Sequence, residues 1–269
     1  MTAARPLRLL HLTDLHLFAD EAGEIYGVRT AETFAATLQH ALMTAPGEID
    51  AVLVTGDIAE DGEVATYERF RGQMASLDLP VLCLPGNHED RGAMTRILSG
   101  PPLQMCGTRR LPGWRIILLD THLMGSDEGF LSAEELQRLE RELTAAAGEH
   151  VLVCLHHQPL PVGSPWLDAY GVVNADAFLS RIDAHDNVRA VLFGHVHQAS
   201  EQLHKGIRVM STPSTCAQFT PHTERCVMDL APPGFRWLDL LPDGRIETEV
   251  VWLEELRLAE RPPDTRQEA

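Results

Sequence analysis

Five short polar clusters each follow a run of apolar residues: Asp14-Leu15-His16, Gly56-Asp57, Gly86-Asn87-His88, His156-His157 and Gly194-His195-Val196-His197. Asp14 and His16 are one residue apart, so in an extended segment both side chains point to one face and can grip one ion. His195 and His197 repeat the spacing around Val196. Asp57 and Asn87 follow glycines, where the backbone can turn sharply and come close to a ligand. Imidazole mixed with oxygen donors suits Fe, Mn, Zn or Co better than Ca or Mg. Composition does not choose among the four. An aspartate, with two carboxylate oxygens, is the natural bridge between two such ions. Singly, a histidine or a Gly-Asp pair reads as a structural residue or a turn. The joint pattern points to a dinuclear metal centre.

The elements that must position these residues read as an α/β protein. Apolar β-rich runs occur at Leu7 to Thr13, Ala51 to Thr55, Val81 to Leu84, Ile116 to Leu119, Val151 to Leu155 and Val188 to Phe193. Amphipathic stretches lie between them, at about Thr30 to Met43, Val64 to Ser76 and Asp176 to Ala184. A further helix starts at Ser132, where Ser132 and Glu135 have capping-box spacing. Strands buried on both faces with intervening helices indicate a layered fold, and in such sheets ligands gather beyond the carboxyl ends of the strands. After Gly206, runs at Ile207 to Ser211, Arg225 to Leu230, Phe235 to Leu241 and Ile246 to Leu253 read as an antiparallel meander.

The whole of 1–256 reads as one domain, and the polar, proline-interrupted 257–269 as a flexible tail. The first residues fit neither a signal peptide nor a membrane span, and five cysteines suggest free thiols, so a cytoplasmic location is expected. A formal charge of −17 without any basic run disfavours nucleic acid and anionic membrane as partners. Bound divalent ions would still let an acidic chain act on a small anion.

The order D-x-H, G-D, G-N-H-(D/E), H and G-H-x-H over Leu7 to His197 resembles the calcineurin-like metallophosphoesterases. The resemblance implies a four-layer α-β-β-α sandwich of two mixed sheets flanked by helices. It also implies that Asp14, His16, Asp57 and His197 hold one metal and Asp57, Asn87, His156 and His195 the other, with Asp57 bridging. His16, Asp57, Asn87, His88 and His197 would meet the substrate. Thr13 to Asp20, His156 to Pro161 with Trp166 to Asp168, and Ser211 to His222 further resemble the bacterial class III 3′,5′-cyclic-AMP phosphodiesterases.

That implies a small cyclic nucleotide as substrate, two divalent ions (Fe or Mn first, Zn or Co next), and hydrolysis to 5′-AMP by a metal-bridging hydroxide. His88 would protonate the leaving oxygen or stabilise phosphate charge, and Ser211 to His222 would shape the nucleotide pocket. Glu89 stands where many relatives have Asp and is expected to orient His88. The alternatives are a broader phosphodiesterase or phosphomonoesterase on the same core, and a non-catalytic binding module. His11, His40, His150, His185 and His204 read as structural. His157 reads as pocket-lining or structural, while His122 and His222 are raised only by family context.

Overall fold

The computed structural model describes residues 5–256, so the tail expected from Arg257 lies outside the described residues. In chain order the first half comprises β1 (Leu7–Leu12), a short hairpin β2 (Glu24–Ile25) and β3 (Val28–Arg29), α1 (Thr30–Thr44), β4 (Ala51–Thr55), α2 (Val64–Ala75), β5 (Val81–Leu84), α3 (Arg91–Leu98) and β6 (Leu103–Met105). Next come β7 (Gly107–Leu111), β8 (Trp114–Leu118), α4 (Ala133–Ala145), β9 (His150–Cys154), α5 (Pro165–Asp168), α6 (Ala175–Ile182), β10 (Val188–Phe193), β11 (Glu201–His204) and β12 (Ile207–Ser211). A second short hairpin, β13 (Gln218–Phe219) and β14 (Met228–Asp229), precedes β15 (Gly234–Leu240) and β16 (Ile246–Trp252).

Two mixed six-stranded sheets result, ordered β16-β15-β1-β4-β5-β6 and β11-β12-β10-β9-β8-β7. Strand alternation places three apolar layers. Along β1 and β4, Leu7, Leu9, Ala51 and Leu53 face the second sheet, where they meet Trp114, Ile116, Leu152 and Leu192. The alternate residues Leu10, Leu12, Val52 and Val54 face α1 to α3 through Phe34, Phe70 and Met94. On the far side, Val151, Val153 and Val191 pack under Leu139 and Phe178 of α4 and α6. Helix, sheet, sheet and helix are thus stacked as the resemblance implies.

The inter-sheet layer turns polar toward the carboxyl ends of the strands. Fully buried His11 has Nδ1 at 2.6 Å from Thr212 Oγ1 and Nε2 at 2.7 Å from Thr55 Oγ1. Thr55 Oγ1 donates to Thr13 Oγ1, which donates to the Thr55 carbonyl, while Arg236 Nε donates to Thr212 Oγ1. His11 is structural, as expected.

Of the expected antiparallel meander only the last pair forms, β15 with β16. β12 lies in the second sheet, parallel to β10 and antiparallel to β11, and β14 pairs with β13 in a two-stranded hairpin of its own among the described residues. β15 returns to the first sheet between β1 and β16. The turn signals mark strand ends, but composition does not name a partner: the segment from Thr212 to Pro233, with Pro213, Pro221, Pro232 and Pro233, carries the chain from one sheet to the other. At Ser132 half of the capping box forms, Ser132 Oγ accepting from Glu135 N at 3.1 Å. The Glu135 carboxylate accepts instead from Asp120 N and Arg138.

Candidate metal centre

Strands β1, β4 and β5 are parallel neighbours, so the loops holding Asp14, Asp57 and Asn87 emerge side by side. β9 and β10 do the same in the second sheet for His156 and for His195 with His197. The local conformation differs from the extended one expected. Asp14, His16, Asp57, His195 and His197 all have left-handed backbones, with φ of 53°, 49°, 49°, 67° and 47°. Such conformations cost L-residues about 1–3 kcal/mol each, and they persist where the surroundings over-determine them.

Here the determinants are visible. Asp14 N donates to the Gly56 carbonyl at 3.1 Å, and Leu15 N and His16 N both donate to the Asp57 carbonyl at 2.8 Å. The two loops are tied backbone to backbone. Gly86 is required by close approach, because a Cβ there would lie 2.1 Å from Asp57 Oδ1 and 2.6 Å from Asp57 N.

The seven side chains converge. His16 Nε2 and His197 Nε2 are 3.0 Å apart, and Asp14 Oδ1 lies 3.7 Å from His197 Nε2. His156 Nε2 is 3.2 Å from Asp57 Oδ2 and 3.1 Å from Asn87 Oδ1. Asp57 Oδ2 is also 3.9 Å from His16 Nε2, which puts this carboxylate between the two groups. Asp14, His16 and His197 form one set of mutually close donor atoms, and Asp14, Asp57 and His156 a second.

The ring tautomers show whether these residues suit a cation. His16 Nδ1 is 2.8 Å from Glu60 Oε2, His197 Nδ1 is 2.7 Å from the Ala217 carbonyl, and His156 Nδ1 is 2.7 Å from the Thr55 carbonyl. Each partner is an acceptor, so each Nδ1 carries a proton, and Nε2 of His16 and His197 can turn a lone pair inward, whereas His156, although burial opposes it, is raised to about 9 by Asp57 and Asp14 and would lose its Nε2 proton on holding a cation. Two lone pairs facing each other at 3.0 Å repel unless a cation lies between them. His195 Nε2 is buried with no hydrogen-bond partner among the described residues. The donor set fits metal.

Charge follows the same plan. Burial lowers His195 to about 3 and holds His197 well below the usual imidazole range, the neutral form that ligates. Burial and then the nearby His156 and Asp57 act on Asp14, leaving it raised to about 6. Burial works against ionised Asp57, but His156 and His88 hold it well below the ordinary carboxylate value.

His88 stands apart from the ligands. Its backbone N–H donates to Asp57 Oδ1 at 3.1 Å, its Nδ1 lies 2.9 Å from Glu60 Oε2, and its side chain is 34% exposed. Burial lowers its pKa, but Asp57 and Glu60 together raise it to about 10. Glu60, itself held at about 2 against its burial by His16 and His88, thus seats a candidate ligand and the candidate acid at once. The sequence carried no signal for it beyond a carboxylate three residues after Asp57.

Glu89 does not orient His88. Its buried carboxylate accepts from the backbone N–H groups of Gly86, Asp57, Ile58 and Ala59 and so binds the two glycine loops together.

His157 lies inside the cluster, its ring 4.7 Å from that of His195 and its Nδ1 2.8 Å from Thr121 Oγ1. His122 and His222 fall in none of the groups of converging donor atoms found among the described residues. The segment from Ser211 to His222 supports the site from behind: Ser214 Oγ donates to the Asp14 carbonyl at 2.6 Å, and Phe219 stacks on His197 at 4.5 Å between ring centroids.

Residues 7–199 match the sequence profile described as calcineurin-like phosphoesterase. The chain belongs to the calcineurin-like phosphoesterase family. It is 40% identical over 245 residues to the Vibrio vulnificus protein named 3′,5′-cyclic adenosine monophosphate phosphodiesterase CpdA, covering 91% of this chain and 89% of that one. The Escherichia coli K12 protein of the same name is 38% identical over 264 residues, covering 97% and 94%. A dimetal phosphatase structure from Danio rerio shares the fold with a TM-score of 0.64 at 18% identity, covering 93% of this chain and 99% of that one. The calcineurin-like phosphoesterase site is dinuclear, and this chain presents candidate residues for both positions. Among the described residues no helix is long and apolar enough to cross a membrane.

Proposed function

We propose that this metallophosphoesterase hydrolyses 3′,5′-cyclic AMP to 5′-AMP in the cytoplasm, with Fe or Mn as its two ions. The observation that carries the reading is the adjoining of the donor groups Asp14/His16/His197, Asp14/Asp57/His156 and His156/His157/His195, with Asn87 against His156 and His88 held beside them by Glu60. The names of relatives 38–40% identical over about nine-tenths of the chain support the substrate. Asp14, His16, Asp57 and His197 would hold one ion, and Asp57, Asn87, His156 and His195 the other. Bound divalent ions neutralise phosphate charge and lower the pKa of a coordinated water toward neutrality.

The protein's own groups account for the rest. His16, Asp57, Asn87, His88 and His197 surround the place where the phosphate would sit. The carboxylates of Asp57 and Glu60 favour the imidazolium form of His88 against its burial. As water oxygen forms the new P–O bond and the P–O3′ bond breaks, His88 gives that proton to O3′ and a water proton leaves to solvent, so the products are balanced. Glu60 keeps Nδ1 occupied, which reserves Nε2 for the leaving oxygen.

Turnover of 3′,5′-cyclic AMP, 2′,3′-cyclic AMP and bis(p-nitrophenyl) phosphate, each with Mn²⁺ and with Fe²⁺, tests the reading. Negligible 3′,5′-cyclic AMP hydrolysis beside strong activity on the others would leave a broader phosphodiesterase. His88→Ala should lower kcat on cyclic AMP by about 10²- to 10⁴-fold with metal content kept. The loss should be far smaller on bis(p-nitrophenyl) phosphate, whose leaving group needs no proton; an equal loss on both would replace the acid role with charge stabilisation.

A further inference from the structure

Fully buried His11 hydrogen-bonds to none of the candidate ligands, yet its two partners lead to them. The direction of these bonds is set at their far end. The Thr55 carbonyl only accepts, so Thr13 Oγ1, 3.3 Å away, gives its one proton there. Thr55 Oγ1, 2.9 Å from Thr13 Oγ1, then has to donate to it, which leaves His11 Nε2 as the donor to Thr55 Oγ1. Burial, and then Arg236, hold His11 well below the usual imidazole range, so the ring is neutral and Nδ1 accepts from Thr212 Oγ1. Thr212 in turn accepts from Arg236 Nε at 3.2 Å. Each member has one role open to it.

The inner end of this chain of bonds meets the metal loops. The Thr55 carbonyl that accepts from Thr13 also lies 2.7 Å from His156 Nδ1, as its acceptor. A Cβ on Gly194 would lie 2.1 Å from Thr13 Oγ1 and 3.0 Å from Asp14 Oδ2, so the Thr13 hydroxyl is packed against the backbone that leads to His195. Gly194 N donates to the His156 carbonyl at 3.0 Å.

Resting on the assignment of His156 as a metal ligand, we infer that His11 is a positioning residue for it, acting through Thr55. An acceptor on the outer nitrogen of a ligating imidazole fixes the ring and raises its basicity. His11 holds the residue that supplies this acceptor, by pinning the Thr55 hydroxyl on the side away from Thr13. With an apolar side chain in its place, the hydroxyls of Thr55 and Thr212 each lose a partner in a buried layer, which is costly. A shift at the end of β4 relieves that cost and displaces the acceptor of His156.

The test is Mn²⁺ binding to metal-free wild type, His11→Leu and His11→Gln by competition with a chelator, beside thermal unfolding. His11→Leu should raise one of the two dissociation constants about tenfold, that of the ion His156 would hold. His11→Gln should bind both ions as wild type does, because its amide can accept from Thr212 and donate to Thr55. Wild-type affinities in His11→Leu would overturn the inference. So would an equal loss in both variants, since packing alone would then account for it. Thr212→Val removes the donor to His11 Nδ1 with little change of shape and serves if His11→Leu does not fold: the same selective loss supports the inference, and unchanged affinities overturn it. A wild type that holds fewer than two Mn²⁺ ions would overturn the dinuclear reading and the inference with it.

Discussion

At Gly86 the atoms nearest to an added Cβ belong to Asp57, the carboxylate placed between the two donor groups. Gly86→Ala must therefore move Asp57, and displacements of about 1 Å in such sites cost on the order of 10²-fold in rate. We expect that loss together with a fall in metal content by elemental analysis; full activity with both ions retained would show that the loop relaxes freely. This residue was legible as a glycine before a candidate ligand. Its neighbour Glu89 was not: the sequence shows a carboxylate beside His88, while its four partners are backbone N–H groups, which one-letter code does not display. The left-handed φ of Asp14 and His16 was equally hidden. Their alternation around Leu15 suggested side chains brought together by an extended segment, whereas a paired left-handed turn brings them together here.

Among the elements, the hairpin strand β13 acts through one side chain. Phe219 is buried, lies face to face with His197, and makes T-shaped contacts with Tyr26 and Trp166. Phe219→Ala removes that platform and leaves a cavity, which should cost about 3–5 kcal/mol in denaturant unfolding. Loss of stability with undiminished metal affinity in a chelator competition would mean that the Ala217 carbonyl alone orients His197. The strands that feed the site were legible because β1, β4, β5, β9 and β10 are apolar runs buried almost throughout. The short elements α3, β6, β7 and β11 were missed, since each offers only a few residues and few buried apolar side chains. Pairing was misread for β12 because the contacts that choose its sheet are distant in sequence.

The whole molecule places Asp14, His16, Asp57 and Asn87 on loops of one sheet and His156, His195 and His197 on loops of the other. Ions held by both sets would fasten the two sheets at one end. Removing metal with a chelator should lower the thermal midpoint, and Mn²⁺ at about a hundredfold over its Kd should restore about 2.7 kcal/mol, a rise of roughly 5–10 °C. Identical midpoints with and without metal would contradict ligation by both sheets. The polar end of the inter-sheet layer has its own bearing on this assembly. From Arg236 through Thr212, His11 and Thr55 to Thr13, every proton points the same way, ending beside Asp14. All seven candidate ligands are synthesised before Gln198, yet the donor that starts this sequence lies in β15, as does the partner that keeps β1 from being a sheet edge. A chain that holds every candidate ligand but stops short of β15 therefore lacks both this donor and the strand that covers the outer edge of β1.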